Sequence, residues 1–431
     1  MFGLLACAPE LEAEPAMTEA EALDPVTCAA CHPDQYDQWQ GSMHAYSSYD
    51  PVFIALNAAG QRATDGALGT FCIDCHAPMA SKLGLSGDGL DLDTLPASMR
   101  GISCTYCHTV DGVGDLYNNG LGHADDLVQR GGFSDPVPTA AHASAYSPLH
   151  DRAELVSSDL CGSCHDVVVP SGMQLERSWV EWNSTQYATA TSGLQQTCGN
   201  CHMDGYEGRA AISDGAPLRR VHDHSFPAVD TALIEFPGRE EQAEMIQDRL
   251  DPTVLSELLV CASENGVEMR LRLENVAAGH SWPSGAAQHR RGWVEIAAYQ
   301  GETLLFEAGN TAEGEAVLAN ETDDLWWFGD RIFDGDGIET HAAWDAVSYE
   351  SKLLPGLDQD GDNHVTRTWY LGEQVPTRAE AIVHMRALDV DFLQWLVDQG
   401  DLDPSYLSAV PTWDLAASEA MWSDIIGRCP E

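Results

Sequence analysis

Cys-x-x-Cys-His occurs five times in the first half of this chain: Cys28-Cys31-His32, Cys72-Cys75-His76, Cys104-Cys107-His108, Cys161-Cys164-His165 and Cys198-Cys201-His202. Two thiols at this spacing can each add across one vinyl group of a haem, and the adjacent imidazole then reaches the iron as its first axial ligand. A shuffled chain of this composition would contain only about 0.01 such matches, so the five reflect selection for that chemistry. Zinc sites also pair Cys-x-x-Cys with histidine, but they rarely need the histidine directly after the second cysteine. Five covalently attached haem c groups are therefore expected. Their cysteine anchors are Cys28, Cys31, Cys72, Cys75, Cys104, Cys107, Cys161, Cys164, Cys198 and Cys201, and their first iron ligands are His32, His76, His108, His165 and His202.

Such a load of porphyrin constrains the fold. Motif intervals of 44, 32, 57 and 37 residues leave little peptide per haem, so the haems would serve as the core and the chain would wrap them in short helices and loops. Residues 26–230 are read as this domain. Pro33 suits a first helical turn. Tyr36, Trp39 and Met43 then share one face of a helix that ends at His44.

A second helix is expected from Arg239 through Leu259, interrupted near Pro252, within a helical linker at 231–260. Beyond Cys261 the period changes to two: Val267, Met269, Leu271 and Leu273 alternate with charged residues, as in a half-buried strand. Trp293–Ala297, Thr303–Phe306 and Ala381–Met385 read as further strands, with Gln300-Gly301 as a turn. Asp391 to Gln399 reads as a short amphipathic helix stopped by Gly400. The expected class is α+β: a mainly α/loop multihaem domain, then an antiparallel β-sandwich-like domain at 261–431 with short helices.

Three cysteines stand outside the motifs. Haem c is attached outside the cytoplasm, where disulfides persist, so Cys261 and Cys429 are a candidate pair. Leu4-Leu5-Ala6 before Cys7 resembles the end of a bacterial lipoprotein signal, making Cys7 a candidate lipidation site. Residues 8–25 then read as an acidic tether. No apolar run reaches the ~20 residues of a membrane span, so membrane association would come only through such an anchor. Periplasm or cell surface is the expected location.

The 21 Lys and Arg against 68 Asp and Glu give a formal charge of −47, which excludes non-specific nucleic-acid binding. Steering toward a basic or membrane-bound redox partner is one reading. A solubility adaptation spread over the surface is the other. Asp334–Gly337 and Asp358–Asp362 resemble calcium loops, but Trp369 stands where an EF-hand needs Glu, so calcium is the lesser alternative to an acidic turn.

Eleven histidines remain as candidates for the second axial position. Trp39-Gln40-Gly41-Ser42-Met43-His44 resembles the W-x-x-S-x-H segment of multihaem cytochromes related to the tetrahaem electron carrier of ammonia oxidation, and the resemblance implies that His44 is a distal ligand. Leu160–Val167 running on to Glu176–Trp182, and Ala278–Gly285 with Arg290-Arg291 close behind, resemble bacterial multihaem cytochrome lipoproteins; here His280 is the implied ligand. His142, His224 and His341 complete the distal set. His222 competes with His224 and His150 with His142; His123 reads as a loop residue, and His289, His364 and His384 as structural.

The resemblance implies electron transfer through mostly or wholly bis-histidine low-spin haems. The alternative is an oxidoreductase with one open haem, acting on a small nitrogen or sulfur compound. Against it, the chain lacks the Cys-x-x-Cys-Lys motif of pentahaem nitrite reductases, and hydroxylamine oxidation would call for more haems and a porphyrin-linked tyrosine.

Overall fold

The computed structural model describes residues 17–430 apart from 138, 140, 214, 320 and 424. Cys7 and the start of the acidic tether lie outside the described residues. The class is mixed α+β. Up to residue 230, mostly one- and two-turn helices, with one longer helix at Pro51–Ala63, alternate with small two-stranded sheets.

Each Cys-x-x-Cys-His motif occupies one helical turn, because that spacing puts both sulfurs and the imidazole on the same side of the turn. The last four motifs lie in or directly ahead of the helices Ile73–His76, Cys104–His108, Ser157–His165 and Cys198–His202. Local sequence explains several of the starts. Ser103 accepts a hydrogen bond from the Tyr106 amide, and Thr197 and Asn200 cap each other reciprocally.

After the first motif the chain departs from the single helix expected. Helix α1 (Pro33–Gln40) stops at Gly41, and Ser42 starts a new turn, α2 (Met43–Tyr46), whose Ala45 amide bonds the Ser42 hydroxyl at 3.3 Å. The break has a packing cause. A Cβ on Gly41 would stand 3.2 Å from the Gly238 Cα and 3.3 Å from the Pro237 carbonyl oxygen, so only glycine lets these backbones meet. Helix α3 (Pro51–Ala63) follows, with Asp50 as its cap.

Helix α4 spans Arg239–Leu250 and ends there, not at Leu259. Asp251 still takes helical angles, but Pro252 has no amide hydrogen with which to extend the ladder. The next apolar run instead forms strand β1 (Val254–Ser263), which pairs along its whole length with β2 (Gly266–Asn275). The remaining strands are β3 (Arg291–Gln300), β4 (Thr303–Ala308), β5 (Trp326–Phe333), β6 (Glu339–Thr340), β7 (Ser348–Lys352), β8 (His364–Gly372), β9 (Arg378–Arg386), β10 (Thr412–Asp414), β11 (Ala420–Trp422) and β12 (Gly427–Arg428).

One sheet runs β8-β2-β1-β12. The other runs β6-β5-β3-β9-β10, with β4, β7 and β11 paired alongside. Met269, Leu271 and Leu273 of the first sheet share one apolar cluster with Val294, Ile296, Ala381 and Val383 of the second. Ile246 and Leu250 of α4 close its end. Burying each such side chain contributes about 1.5–3 kcal/mol.

Helix α5 (Val390–Gln399) ends at Gly400, which takes the left-handed conformation of a C-terminal cap. Its Phe392, Leu393 and Leu396 pack against Val52 and Ala55 of α3, joining the two halves of the chain. A disulfide joins Cys261 on β1 to Cys429 just after β12, across 168 residues. The two acidic loops spend carboxylate oxygens on their own backbone: Asp334 accepts from the Asp336 and Ile338 amides, and Asp358 from the Asp360 and Asp362 amides.

Candidate functional site

The five motif histidines lie in the N-terminal half, His32, His108 and His202 half-buried and His76 and His165 more open, and desolvation by the surrounding protein pushes all five imidazoles toward the neutral form. His165 is driven down to about 4, and His32, His76, His108 and His202 are lowered by the same desolvation. Neutral imidazole is the form that binds a metal.

Hydrogen bonding then orients the rings. Nδ1 of His32 lies 2.5 Å from the Ala210 carbonyl oxygen, that of His108 2.5 Å from Arg130, that of His202 2.9 Å from Pro227 and that of His76 3.3 Å from Ser47. Donation from Nδ1 to a carbonyl leaves Nε2 as the free lone pair, the arrangement metal-ligating histidines adopt.

Other histidines face them. His142 stands opposite His32 with ring centroids 6.1 Å apart, His44 opposite His165 at 6.2 Å, and His224 opposite His108 at 6.3 Å. Two imidazoles bonded at about 2 Å on opposite sides of one metal ion would put their ring centres about 6 Å apart. His280 makes no ring contact with a motif histidine among the described residues, but after desolvation and its bond to the Ser281 carbonyl it feels the imidazoles of both His202 and His165. His44 and His224 are held down to about 3, and His280 to about 4, in each case chiefly by desolvation. His142, His224 and His280 also place Nδ1 on carbonyls, at 3.2, 3.0 and 2.7 Å.

The competitors separate by polarity. His150 lies 5.6 Å from His108 but spends Nε2 on the Cys107 carbonyl at 2.9 Å, leaving Nδ1 buried and unpartnered. His222 contributes the carbonyl that orients His224. The structure does not bring His341 to a motif histidine. It faces His289 at 6.2 Å and contacts Phe392 and Trp395, in the aromatic cluster that also holds Trp344.

Among the described residues no second imidazole makes a ring contact with His76. Phe53 of α3 stacks on it instead, 4.1 Å between centroids and 9° from parallel. His123, read from the sequence as a loop residue, ends the short strand Leu121–His123 as a half-buried ring: Nδ1 meets the Thr109 hydroxyl at 3.0 Å, while Nε2 is buried without a partner.

The thiols are also interleaved. Cys28 neighbours Cys104, Cys161 neighbours Cys198 and Cys75 neighbours Cys164, each pair close enough for one thiol to shift the other's ionisation. The first motif therefore adjoins the third, and the fourth adjoins both the second and the fifth.

Residues 27–109, which hold the first three motifs, match the family model described as cytochrome c554 and c-prime. Among solved structures the chain is similar to a penta-heme cytochrome c552 from Thermochromatium tepidum, with a TM-score of 0.63 and 20% sequence identity, over 93% of this chain and 99% of that one. The chain has the fold of a multihaem c-type cytochrome. No curated protein sequence matches it. The residues fit covalently bound haem c on their own geometry: paired thiols on single turns, desolvated imidazoles of which four have Nδ1 already engaged, and three opposed ring pairs at the spacing of two axial ligands.

Proposed function

We propose that this chain is an electron-transfer protein carrying five haem c groups outside the cytoplasm, in the periplasm or at the cell surface, with a lipid on Cys7 as its tether. Haem iron, when bound, supplies the reversible one-electron step. The chain's own residues set where the electrons go. His32 with His142, His108 with His224, His165 with His44 and His202 with His280 would close both axial positions of four irons.

Closed axial positions favour electron transfer over bond chemistry, because no coordination site is left for a substrate. The observation that carries this reading is the set of opposed imidazole pairs. Adjacent thiols supply the order of a conduit: first to third motif, with the fourth as a junction to the second and fifth.

A second reading attaches to His76, whose facing ring is Phe53. One open iron there would admit a small ligand, and the protein would then act as an oxidoreductase on a small nitrogen or sulfur compound. Anaerobic carbon monoxide titration of the haem-loaded protein separates the two. The electron-carrier reading expects no carbon monoxide uptake at native pH, whereas uptake by one haem favours the oxidoreductase. Uptake by several haems would refute the four closed pairs. Protein that has passed through a competent maturation system and still shows no Soret band would remove both readings.

A further inference from the structure

Arg290 is delivered to the histidine cluster from the opposite half of the chain, at the end of the loop that also carries His280. Its amide bonds the Ala286 carbonyl, and its Nη1 donates to the Ser284 carbonyl at 2.7 Å. Nη2 donates to Asp230 at 2.8 Å. The guanidinium lies against Gly285, where an added Cβ would come within 3.3 Å of it. A guanidinium has five N–H donors, and carboxylates are bound along its edge by two at once. Here the Nε donor is buried and has no partner.

The surroundings say what it would meet. Arg290 is close enough to His165 of the fourth motif, and to His280 on its own loop, for its charge to act on both. Its one ion pair among the described residues is with Asp230, whose side chain is 38% exposed. Glu176 also feels it but is pushed up to about 7 by burial, and no ion pair joins the two among the described residues. A half-buried guanidinium whose Nε donor is shielded and unused, in a chain carrying 68 acidic residues, is a receptor for a further carboxylate that the polypeptide does not supply.

We propose that Arg290 is the cation that binds a haem propionate between the fourth and fifth attachment sites, sharing its charge with Asp230. This rests on the haem reading above. It makes Arg290 a positioning residue that sets reduction potential: a compensated propionate stabilises ferric iron less than a bare one does.

The test is a spectroelectrochemical titration of the intact haem-loaded protein, with Arg290→Gln and Asp230→Asn as paired variants. Arg290→Gln should lower the potential of one or two haems, changing their reduction equilibrium about tenfold, which is about 59 mV for one electron. Asp230→Asn should shift the same haems upward. An ion pair serving only the loop, beyond electrostatic reach of the porphyrins, would move neither potential. Unchanged potentials in Arg290→Gln at full haem content would overturn the proposal. If that variant fails to load haem, an absent upward shift in Asp230→Asn overturns it instead. A wild-type protein without haem would sink the underlying reading, and pyridine haemochrome and mass measurements identify that case separately.

Discussion

At His44 three neighbouring contacts do the work of one strong bond. The Ile102 amide donates to its carbonyl at 2.9 Å, Trp39 Nε1 donates to the Ile102 carbonyl at 2.7 Å, and the Gly101 amide bonds Ser48. The ring is thereby held toward His165, with Phe226 edge-on at 4.3 Å. In the haem-loaded protein, His44→Ala should convert one low-spin haem to a high-spin, carbon-monoxide-reactive one, read by visible and paramagnetic resonance spectra. His150→Ala should leave the low-spin count unchanged, because His150 turns its Nε2 to the Cys107 carbonyl. A high-spin signal from His150→Ala would reverse the assignment at that site. Sequence could place His44 because a specific segment surrounds it. It could not decide between His222 and His224, or between His142 and His150, since ring polarity depends on carbonyls supplied by the folded chain.

Short elements here are fixed by contacts that hydrophobic period does not encode. The end of α1 illustrates this. Tyr36, Trp39 and Met43 carry a helical spacing through Gly41, yet the backbone breaks there to meet Gly238 at the cap of α4. Gly41→Ala would drive a Cβ against backbone atoms that have no rotamer to relieve the clash. A cost of about 1–3 kcal/mol is expected, read as a lowered denaturant midpoint together with partial loss of the low-spin signal assigned to His44. An unchanged midpoint would mean the contact is loose.

The same limit explains the reading of Val254–Leu259 as helix. The run is apolar with no clear period, and its strand character comes from pairing with β2. Where alternation was clean, as in Val267–Leu273, the strand was legible. At the other edge, β12 is only two residues long and pairs with β1 beside the disulfide. Cys429→Ser should therefore free the C-terminal strand. Loop entropy for so long a closed segment amounts to up to about 5 kcal/mol. The expected result is a lower midpoint by intrinsic fluorescence with an unchanged haem spectrum; loss of haem in that variant would show that the disulfide supports the motif region as well.

Across the whole molecule, the two halves are joined through α3 against α5, through the loop carrying His280 and Arg290, and through the meeting of Gly41 with Gly238. The motifs and the strand periods were legible in the sequence. These junctions were not, because each needs two distant segments whose partners only the fold selects. Charge is a whole-molecule property of a different kind, since it acts before any contact forms. A formal −47 surrounds the protein with a negative field that extends about 10 Å at 0.1 M salt. If the physiological partner is basic, that field raises the encounter rate, and the gain disappears as salt screens it. Stopped-flow electron exchange with a cationic redox protein should then slow by about an order of magnitude between low and physiological ionic strength. Exchange with an uncharged small-molecule reductant should stay flat over the same range, because a neutral reagent feels no net field. Equal salt dependence with both reagents would point to a salt effect on the protein itself, and a flat response with both would leave the acidic surface as a solubility device.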